Sequence, residues 1–311
     1  MFQQLLQQIV NGLSVGSVYA LMALGYTMVY GILRLINFAH GDIYMLGAFV
    51  GFWTSSWLSR FPGLVRHPAA AIFLSVPVAM AACALLGVFI ERTAYKPLRS
   101  APRYSLLITA IGVSFLLEYL AMAFIGPERQ NYHRDPWLST NLHLATEVSI
   151  SVQRLLVIVI SVGLMLALHA IVQYTRIGKA MRAVSIDQEA ARLMGINVDR
   201  VISFTFAVGS ALAGAAGVLI GMQYQIEPLM GVMDGLKAFV AAVLGGIGLI
   251  PGAMVGAYTL GMVETLVKGV DIKLWGVQPS LFADAVAFAI LILILLVKPS
   301  GLLGKSAREK V

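Results

Sequence analysis

Three polar side chains that could bind a solute lie close together near the N-terminus. Asn37, His40 and Asp42 surround Gly41 in the stretch LINFAHGDIYMLG at 35–47, between two apolar runs. Because glycine tolerates unusual backbone angles, a helix break at Gly41 would present an amide, an imidazole and a carboxylate together. The alternative is an ordinary turn in which Asn37 or Asp42 caps the next helix. The residue pattern is compatible with both.

Catalytic chemistry has no comparable candidate. The five histidines are scattered along the chain, and no pair has the HExxH spacing of a zinc site. Gly304–Ser306 spell GKS, but a phosphate loop needs a glycine where the chain has Pro299. The single cysteine, Cys83, allows no internal disulfide and gives no metal-ligand pattern. We therefore predict no catalytic residues, no metal site, no bound cofactor and no ATPase site in this chain.

The composition places these residues in a membrane. Of 311 residues, 59% are hydrophobic and 12% are charged, and the mean hydropathy is +0.84. A soluble domain carries about a quarter charged residues. Runs of about 20 apolar residues match helical spans rather than barrel strands, so we expect an all-α integral membrane protein. Lys and Arg cluster in particular loops, so the net charge of +7 indicates membrane orientation rather than binding to nucleic acid.

Eight apolar segments predict a polytopic helical bundle. Their approximate bounds are 8–31, 38–58, 69–91, 104–125, 153–174, 201–222, 237–267 and 281–298. Short polar connections join most of them, and no linker is long enough to separate two domains. We therefore expect one transmembrane domain over 1–311.

The segment 237–267 is expected to be broken or re-entrant. It contains a cluster of helix-breaking residues: Gly245, Gly246, Gly248, Pro251 and Gly252. Glycine tolerates unusual angles and proline removes a donor, so we predict two half-helices of about 12 to 16 residues each. The irregular backbone between them would be shielded by protein or would line a wet path. The alternative is one kinked span.

Basic residues predict the orientation of the bundle. They are richest at 92–104, at 174–200 and in the tail, where Lys298, Lys305, Arg308 and Lys310 lie. The positive-inside rule makes these regions cytoplasmic. Counting spans backwards puts the N-terminus outside. The C-terminus is then cytoplasmic only if the broken segment enters and leaves by the same side.

A polar, mostly basic stretch at 176–200, RIGKAMRAVSIDQEAARLMGINVDR, separates two apolar segments; we name it the island segment. Ser185 and Gln188 fit a capping box, and Gly195 is placed to end the helix in a left-handed conformation. Helical spacing puts four apolar residues on one face: Ile186, Ala190, Leu193 and Met194. The pattern predicts a short surface helix whose apolar face binds a partner.

Four stretches together resemble the LivH-type permeases of bacterial branched-chain amino-acid ABC importers. They are GYTMVYGILRLINFAHGDIYMLG at 25–47, ERTAYKPLR at 91–99, EAARLMGINVDR at 189–200 and KAFVAAVLGGIGLIPGAMVGA at 237–257. The resemblance covers nearly the whole chain, including its length and its basic tail. The chain also spells the EAA and following glycine of importer permeases more generally, but it lacks their I-x-L-P ending.

The resemblance implies a multi-pass subunit of the bacterial inner membrane that carries leucine, isoleucine and valine inward by alternating access. The implied partners are a second, LivM-type permease, two ATPase subunits that hold the ATP, and a periplasmic amino-acid-binding protein, besides membrane lipid. Related permeases are associated with urea, short amides or other amino acids, so those substrates are alternatives.

The expected ATPase-coupling residues lie in the island segment: Ile186, Glu189, Ala190, Ala191, Leu193, Met194 and Gly195. The expected translocation path involves two separate groups: Asn37, His40, Gly41 and Asp42, with Gly245, Gly246, Gly248, Pro251 and Gly252. Glu118 is the acidic residue nearest the centre of a predicted span, where acids are either functional or structurally paired. A functional Glu118 would suit a second hypothesis, an ion-coupled secondary carrier. A passive channel is a third.

Overall fold

The computed structural model describes residues 2–61, 68–99, 101–133, 136–145, 148–269 and 282–304. Within these ranges the chain is almost entirely helical. The helices are α1 (Phe2–Leu33), α2 (His40–Leu58), α3 (Pro68–Ile90), α4 (Arg103–Ile125), α5 (Val152–Tyr174), α6 (Arg176–Ile186), α7 (Gln188–Leu193), α8 (Val198–Gln223), α9 (Met230–Gly245), α10 (Ile250–Lys268) and α11 (Ala283–Val297).

Short irregular elements complete the described chain. A π-helical turn, Glu91–Tyr95, and a 3-10 turn, Lys96–Leu98, continue α3. Strands β1 (Asn141–Ala145) and β2 (Val148–Ser151) form a two-stranded antiparallel hairpin before α5. The tail residues Lys305, Arg308 and Lys310 lie outside the described residues. The same holds for Ser306, so only Gly304 of the GKS sequence is described.

The predicted all-α membrane fold is confirmed. Among the described residues, six helical stretches are long and apolar enough to cross a membrane: Gln3–Leu33, Ala69–Leu98, Tyr104–Ile125, Val152–Tyr174, Val198–Gln223 and Ile250–Lys268. The predicted segments 38–58 and 281–298 do not reach that standard. The first, now α2, has polar residues near both ends, and the helix in the second, α11, has only 15 residues. The expected count of eight was therefore approximate.

Helix α1 lies at the centre of the bundle and packs against α8, α9 and α10. Its residues from Val18 to Leu24 are buried. Helices α2 and α3 pack on α8 through very close backbone contacts. A Cβ added at Gly47 would lie 2.5 Å from the Cα of Gly214, and one added at Gly217 would lie 2.3 Å from the Tyr44 carbonyl oxygen. Small residues thus let the helices approach closely, which is how helices associate in lipid.

The segment 237–267 is divided as its glycines predict. The chain leaves α9 through Gly246 at φ 109° and passes Gly248 at φ 94° before α10 begins. Gly245 lies against Gly252 and Ala241 lies against Gly256, so α9 and α10 run antiparallel. The alternative of one kinked span is therefore wrong.

The predicted half-helix lengths need correction. Helix α9 has 16 residues but starts at Met230, and α10 has 19. The break, rather than the length of each half, is what the glycines determine. The carbonyl groups of Leu244 and Gly245 at the end of α9 accept hydrogen bonds from the amides of Leu302, at 2.8 Å, and Leu303, at 3.0 Å. The irregular backbone is thus shielded by protein.

Candidate translocation and coupling sites

The chain breaks between α1 and α2, upstream of the predicted position. Arg34 adopts φ 51°, a left-handed conformation that is unusual for a residue other than glycine, and helical structure resumes only at His40. Gly41 therefore lies inside the first turn of α2, and the expected break at Gly41 is wrong. The capping alternative is also wrong, because the first residue of α2 follows Ala39 and no described side chain caps this helix.

The three polar side chains of this stretch are all buried inside the bundle. Asn37 accepts a 2.6 Å hydrogen bond from the buried Tyr95 hydroxyl. His40 and Asp42 are each only 1% exposed. The His40 ring meets Tyr26 edge to face, with 4.7 Å between the ring centroids. Two of the resembling stretches, 25–47 and 91–99, therefore meet at the Asn37–Tyr95 contact.

Asp42 faces α4 across the bundle. The Ser114 hydroxyl donates a hydrogen bond to Asp42 Oδ2. Glu118, one turn further along α4, interacts with both Ser114 and Asp42. Within the described part of the chain, Asp42 Oδ1 and His40 Nε2 are buried without a hydrogen-bond partner. Buried polar atoms are nearly always paired, so two orphans within one turn of helix call for an explanation.

A cavity of about 220 Å³ lies beside Asp42, between α1, α4 and α9; we name it the α2 cavity. Its wall is largely apolar and aromatic and includes Tyr26, Phe38, Ser114, Gly231, Gly235 and Phe239. The Ser114 hydroxyl, which bonds Asp42, is part of this wall. The predicted path residues Asn37, His40 and Gly41 are not part of it. Gly41 instead packs on Gly231 and Gly235.

The break between α9 and α10 borders a second cavity. This cavity, of about 580 Å³, lies where the end of α1, the end of α6 and residues 299–304 converge. Arg34, Ser185, Gly248 and Ser300 line part of it. Of the glycines predicted for the path, Gly248 thus faces open space. Gly245 and Gly252 pack on each other, and Pro251 is exposed in the first turn of α10.

The island segment forms two short helices rather than the single capped helix predicted. Ser185 belongs to the last turn of α6, where its hydroxyl donates to the Arg182 carbonyl oxygen. Asp187 caps α7 instead, because its Oδ1 accepts from the amides of Glu189, at 2.8 Å, and Ala190, at 3.0 Å. Ser185 and Gln188 therefore form no capping box.

The C-terminal end of α7 follows the prediction. Gly195 adopts φ 81°, and the amide of Ile196 reaches back to the carbonyl oxygen of Ala191 at 3.0 Å. Glycine is favoured at this left-handed position because it has no Cβ.

Three large apolar side chains of the island segment are exposed. The exposed fractions are 82% for Ile186, 89% for Leu193 and 82% for Met194. Ala190 and Glu189 are also exposed, whereas Ala191 is buried against the core. The apolar side chains therefore do not fold back onto this chain's own bundle.

A side-chain hydrogen bond fastens the island segment to the end of α1. The Gln188 side-chain amide donates to the Ile32 carbonyl oxygen at 3.0 Å, in the last turn of α1. Within the segment, Asn197 caps the start of α8 by accepting from the Arg200 amide at 3.0 Å. Movement of α7 would thus reach the end of α1, just before the break that leads to Asn37 and His40.

A charged network fixes the end of α3 to the start of α8. Arg99 bonds the buried Glu91 and also Asp199, the latter at 2.7 Å. The Ser203 hydroxyl donates to Glu91 Oε2 at 2.6 Å, and Lys96 pairs with Asp199 at 2.9 Å. The motif ERTAYKPLR therefore has a structural role as an anchor.

A second charged network joins α1, α9, α10 and α11. Glu264 is buried and bonds Lys237 at 3.2 Å, Lys268 at 2.5 Å and the Tyr19 hydroxyl at 2.9 Å. Lys237 also pairs with Asp284 at 2.7 Å. The four-residue spacing of Glu264 and Lys268 predicts their local pairing. Lys237 was missed, although a single cation inside an apolar run is a signal for such a network.

Ser114 was also missed as a member of the site. Its position four residues before Glu118 puts both polar groups on one face of α4, which is the only sequence signal for it. Nothing in the sequence around Ser114 predicts its contact with Asp42, which is 72 residues away in the chain.

Comparison with known proteins agrees with this architecture. A family model described as "Branched-chain amino acid transport system / permease component" matches residues 8–295. The permease protein BraD of Pseudomonas aeruginosa is 43% identical over 98% of each chain. LivH of Escherichia coli K12 is 40% identical over 100% of this chain and 99% of that protein. The probable LivH of Methanocaldococcus jannaschii is 28% identical over 91% of this chain and 88% of that protein. On these grounds the chain belongs to the family of permease components of branched-chain amino-acid transport systems.

Proposed function

We propose that this chain is a transmembrane permease subunit of a bacterial ABC importer that moves leucine, isoleucine and valine into the cytoplasm. The observation that carries the proposal is sequence identity of 40% or more, over essentially the full length, to proteins named as high-affinity branched-chain amino-acid transport permeases. ATP is hydrolysed on separate subunits, and this chain contributes no nucleotide site and no cofactor. Its single domain works in the inner membrane, with the N-terminus outside and the C-terminus cytoplasmic.

The proposed assembly contains a second, LivM-type permease, two ATPase subunits and a periplasmic amino-acid-binding protein. The island segment is the proposed contact for an ATPase. Exposed Leu193 and Met194 support this role, because large apolar side chains on an otherwise polar, basic segment are typical of a protein contact. Exposed Glu189 and Ala190 flank them, the buried Ala191 anchors the segment, and Gly195 ends it.

The proposed coupling route runs from α7 to the end of α1. Closure of the ATPase dimer displaces the segment around Glu189, and the Gln188–Ile32 hydrogen bond transmits the displacement to the chain before Asn37. The polar start of α2 and the glycines that end α9 are the proposed path elements that respond. ATP binding can drive this change only through its different affinity for the two states.

A substitution in the island segment tests the coupling. Leu193→Asp or Met194→Asp should abolish ATP-driven leucine uptake and weaken ATPase co-purification, because each places a charge in an apolar contact. Insertion of the permease should be unchanged, since both side chains are exposed. Tyr174→Asp is the matched control, because Tyr174 is also strongly exposed but lies on α5. Normal uptake by both island variants would contradict the proposed contact.

The adjacent acids Asp42 and Glu118 favour one second candidate, an ion-coupled carrier. Uptake that survives ATP depletion but is lost in Glu118→Gln would establish an ion-coupled carrier and exclude the ATP-driven importer. The alternative substrates are tested by competition: urea, acetamide or another amino acid that is a substrate should inhibit the uptake of labelled leucine.

A further inference from the structure

We propose that the α2 cavity and Asp42 form a binding site for a branched-chain amino acid inside this permease, with the Asp42 carboxylate receiving the α-ammonium group and the cavity receiving the side chain. This inference rests on the proposed function. It adds a recognition site within the membrane subunit to the selection made by a binding protein.

The first argument is the charge balance of the buried acids. Glu91 is paired with Arg99, and Glu264 is paired with Lys237 and Lys268. By contrast, no Lys or Arg of the described ranges pairs with Asp42 or Glu118.

An acid without a counter-ion is costly in the interior of a membrane bundle, so such residues mark functional sites. Each of the other two buried acids shows how this fold neutralises such a charge when the role is structural. A ligand ammonium group would supply the missing positive charge beside Asp42 and Glu118.

The second argument is the unpaired oxygen. Asp42 Oδ2 accepts from Ser114, but Asp42 Oδ1 has no partner among the described residues and is buried. It lies at the cavity wall, since a Cβ added at the wall residue Gly231 would be 2.9 Å from it. Asp42 Oδ1 is thus a hydrogen-bond acceptor to which the ammonium group of a ligand could donate.

The third argument is the shape and chemistry of the cavity. Its volume of about 220 Å³ exceeds the roughly 150 Å³ that suffices for benzene in an apolar protein cavity. Tyr26, Phe38 and Phe239 supply apolar and aromatic surface to a pocket that is also lined by Ser114, the residue bonded to Asp42. Ligand sites commonly combine an apolar wall with a few convergent polar groups. An aliphatic side chain next to an ammonium group fits this combination.

Leucine binding to the assembled permease–ATPase complex tests the site directly. The complex is placed in lipid nanodiscs without the binding protein, and saturable binding of radiolabelled leucine is measured at equilibrium. We expect Asp42→Asn to weaken leucine binding about 10- to 100-fold, the range for a hydrogen bond to a charged group. The wild type should prefer leucine to N-acetyl-leucine, which has no ammonium group, and Asp42→Asn should lose that preference.

Two further variants separate recognition from folding. Asp234→Asn is the matched control, because Asp234 is an acid of the same bundle whose Oδ2 accepts from Tyr44 at 2.9 Å and which does not line the cavity. It should retain leucine binding. Phe239→Ala enlarges the cavity and should shift preference several-fold from leucine towards phenylalanine, while the ammonium contact persists.

Several outcomes would overturn the inference while the proposed function stands. One is wild-type affinity and wild-type discrimination against N-acetyl-leucine in an assembled Asp42→Asn complex. Another is absence of saturable leucine binding to a wild-type complex that still imports leucine when the binding protein is added. Failure of the complete wild-type assembly to import leucine with ATP would instead overturn the proposed function itself.

Discussion

At the scale of single residues, the contact between α2 and α9 depends on glycines, which have no side chain to separate the two helices. A Cβ added at Gly41 would lie 2.2 Å from the Gly231 carbonyl oxygen and 3.0 Å from the Gly235 Cα. All the atoms involved belong to helix backbone, which cannot rotate away as a side chain can. The small size of Gly41 therefore matters more than its conformational freedom, although the sequence pattern suggested the reverse.

Gly41→Ala should destabilise the permease. We expect a loss of about 1–3 kcal/mol, the usual cost of overpacking a core, because α2 and α9 must separate. The free energy of unfolding of purified permease, from denaturant titration in detergent, measures this loss. Gly112→Ala is the matched control, since Gly112 lies in α4 and a Cβ there meets nothing within 4 Å. Equal losses in the two variants would show that close packing at Gly41 is not the cause.

At the scale of elements, local patterns predict helices more reliably than their ends. The apolar runs predict α1, α3, α4, α5 and α8, because burial in a membrane requires long apolar helices. The island segment shows the limit. Ser185 and Asp187 are both good capping residues, and the chain uses Asp187, whose carboxylate accepts two backbone amides. Sequence alone cannot rank two adjacent caps when the packing of α6 decides where its last turn ends.

The anchor between α3 and α8 gives a prediction at this scale. Arg99→Gln leaves the buried Glu91 without its cation, and breaking a buried pair in this way costs about 3–5 kcal/mol. Lys96→Gln is the matched control, because the Lys96–Asp199 pair is about half exposed and such pairs contribute about 0–1 kcal/mol. Denaturant titration of both variants compares the losses, and similar small losses would contradict an anchoring role for Glu91.

At the scale of the whole molecule, the contacts that build the candidate sites are non-local. Asn37 meets Tyr95 across 58 residues, and Asp42 meets Ser114 across 72. Hydrophobic periodicity carries no information about such pairings, so the sequence analysis identified Asn37, His40 and Asp42 as polar but not what they contact. The glycine cluster at 245–252 was more informative, because a chain reversal is itself a local property.

Orientation in the membrane is the remaining property of the whole molecule, and it decides whether the island segment can reach an ATPase. The native chain has one cysteine, Cys83, and it is buried, so single cysteines added elsewhere report their own accessibility. A membrane-impermeant maleimide applied to intact spheroplasts should label Glu128→Cys, which follows α4 and therefore lies outside if residues 92–104 are cytoplasmic. It should label Arg192→Cys, on α7, only after the membrane is permeabilised. Both side chains are exposed, so burial in the protein would not explain a difference. Labelling of Arg192→Cys in intact spheroplasts would put the island segment on the outer side, and the proposed coupling contact could then not exist.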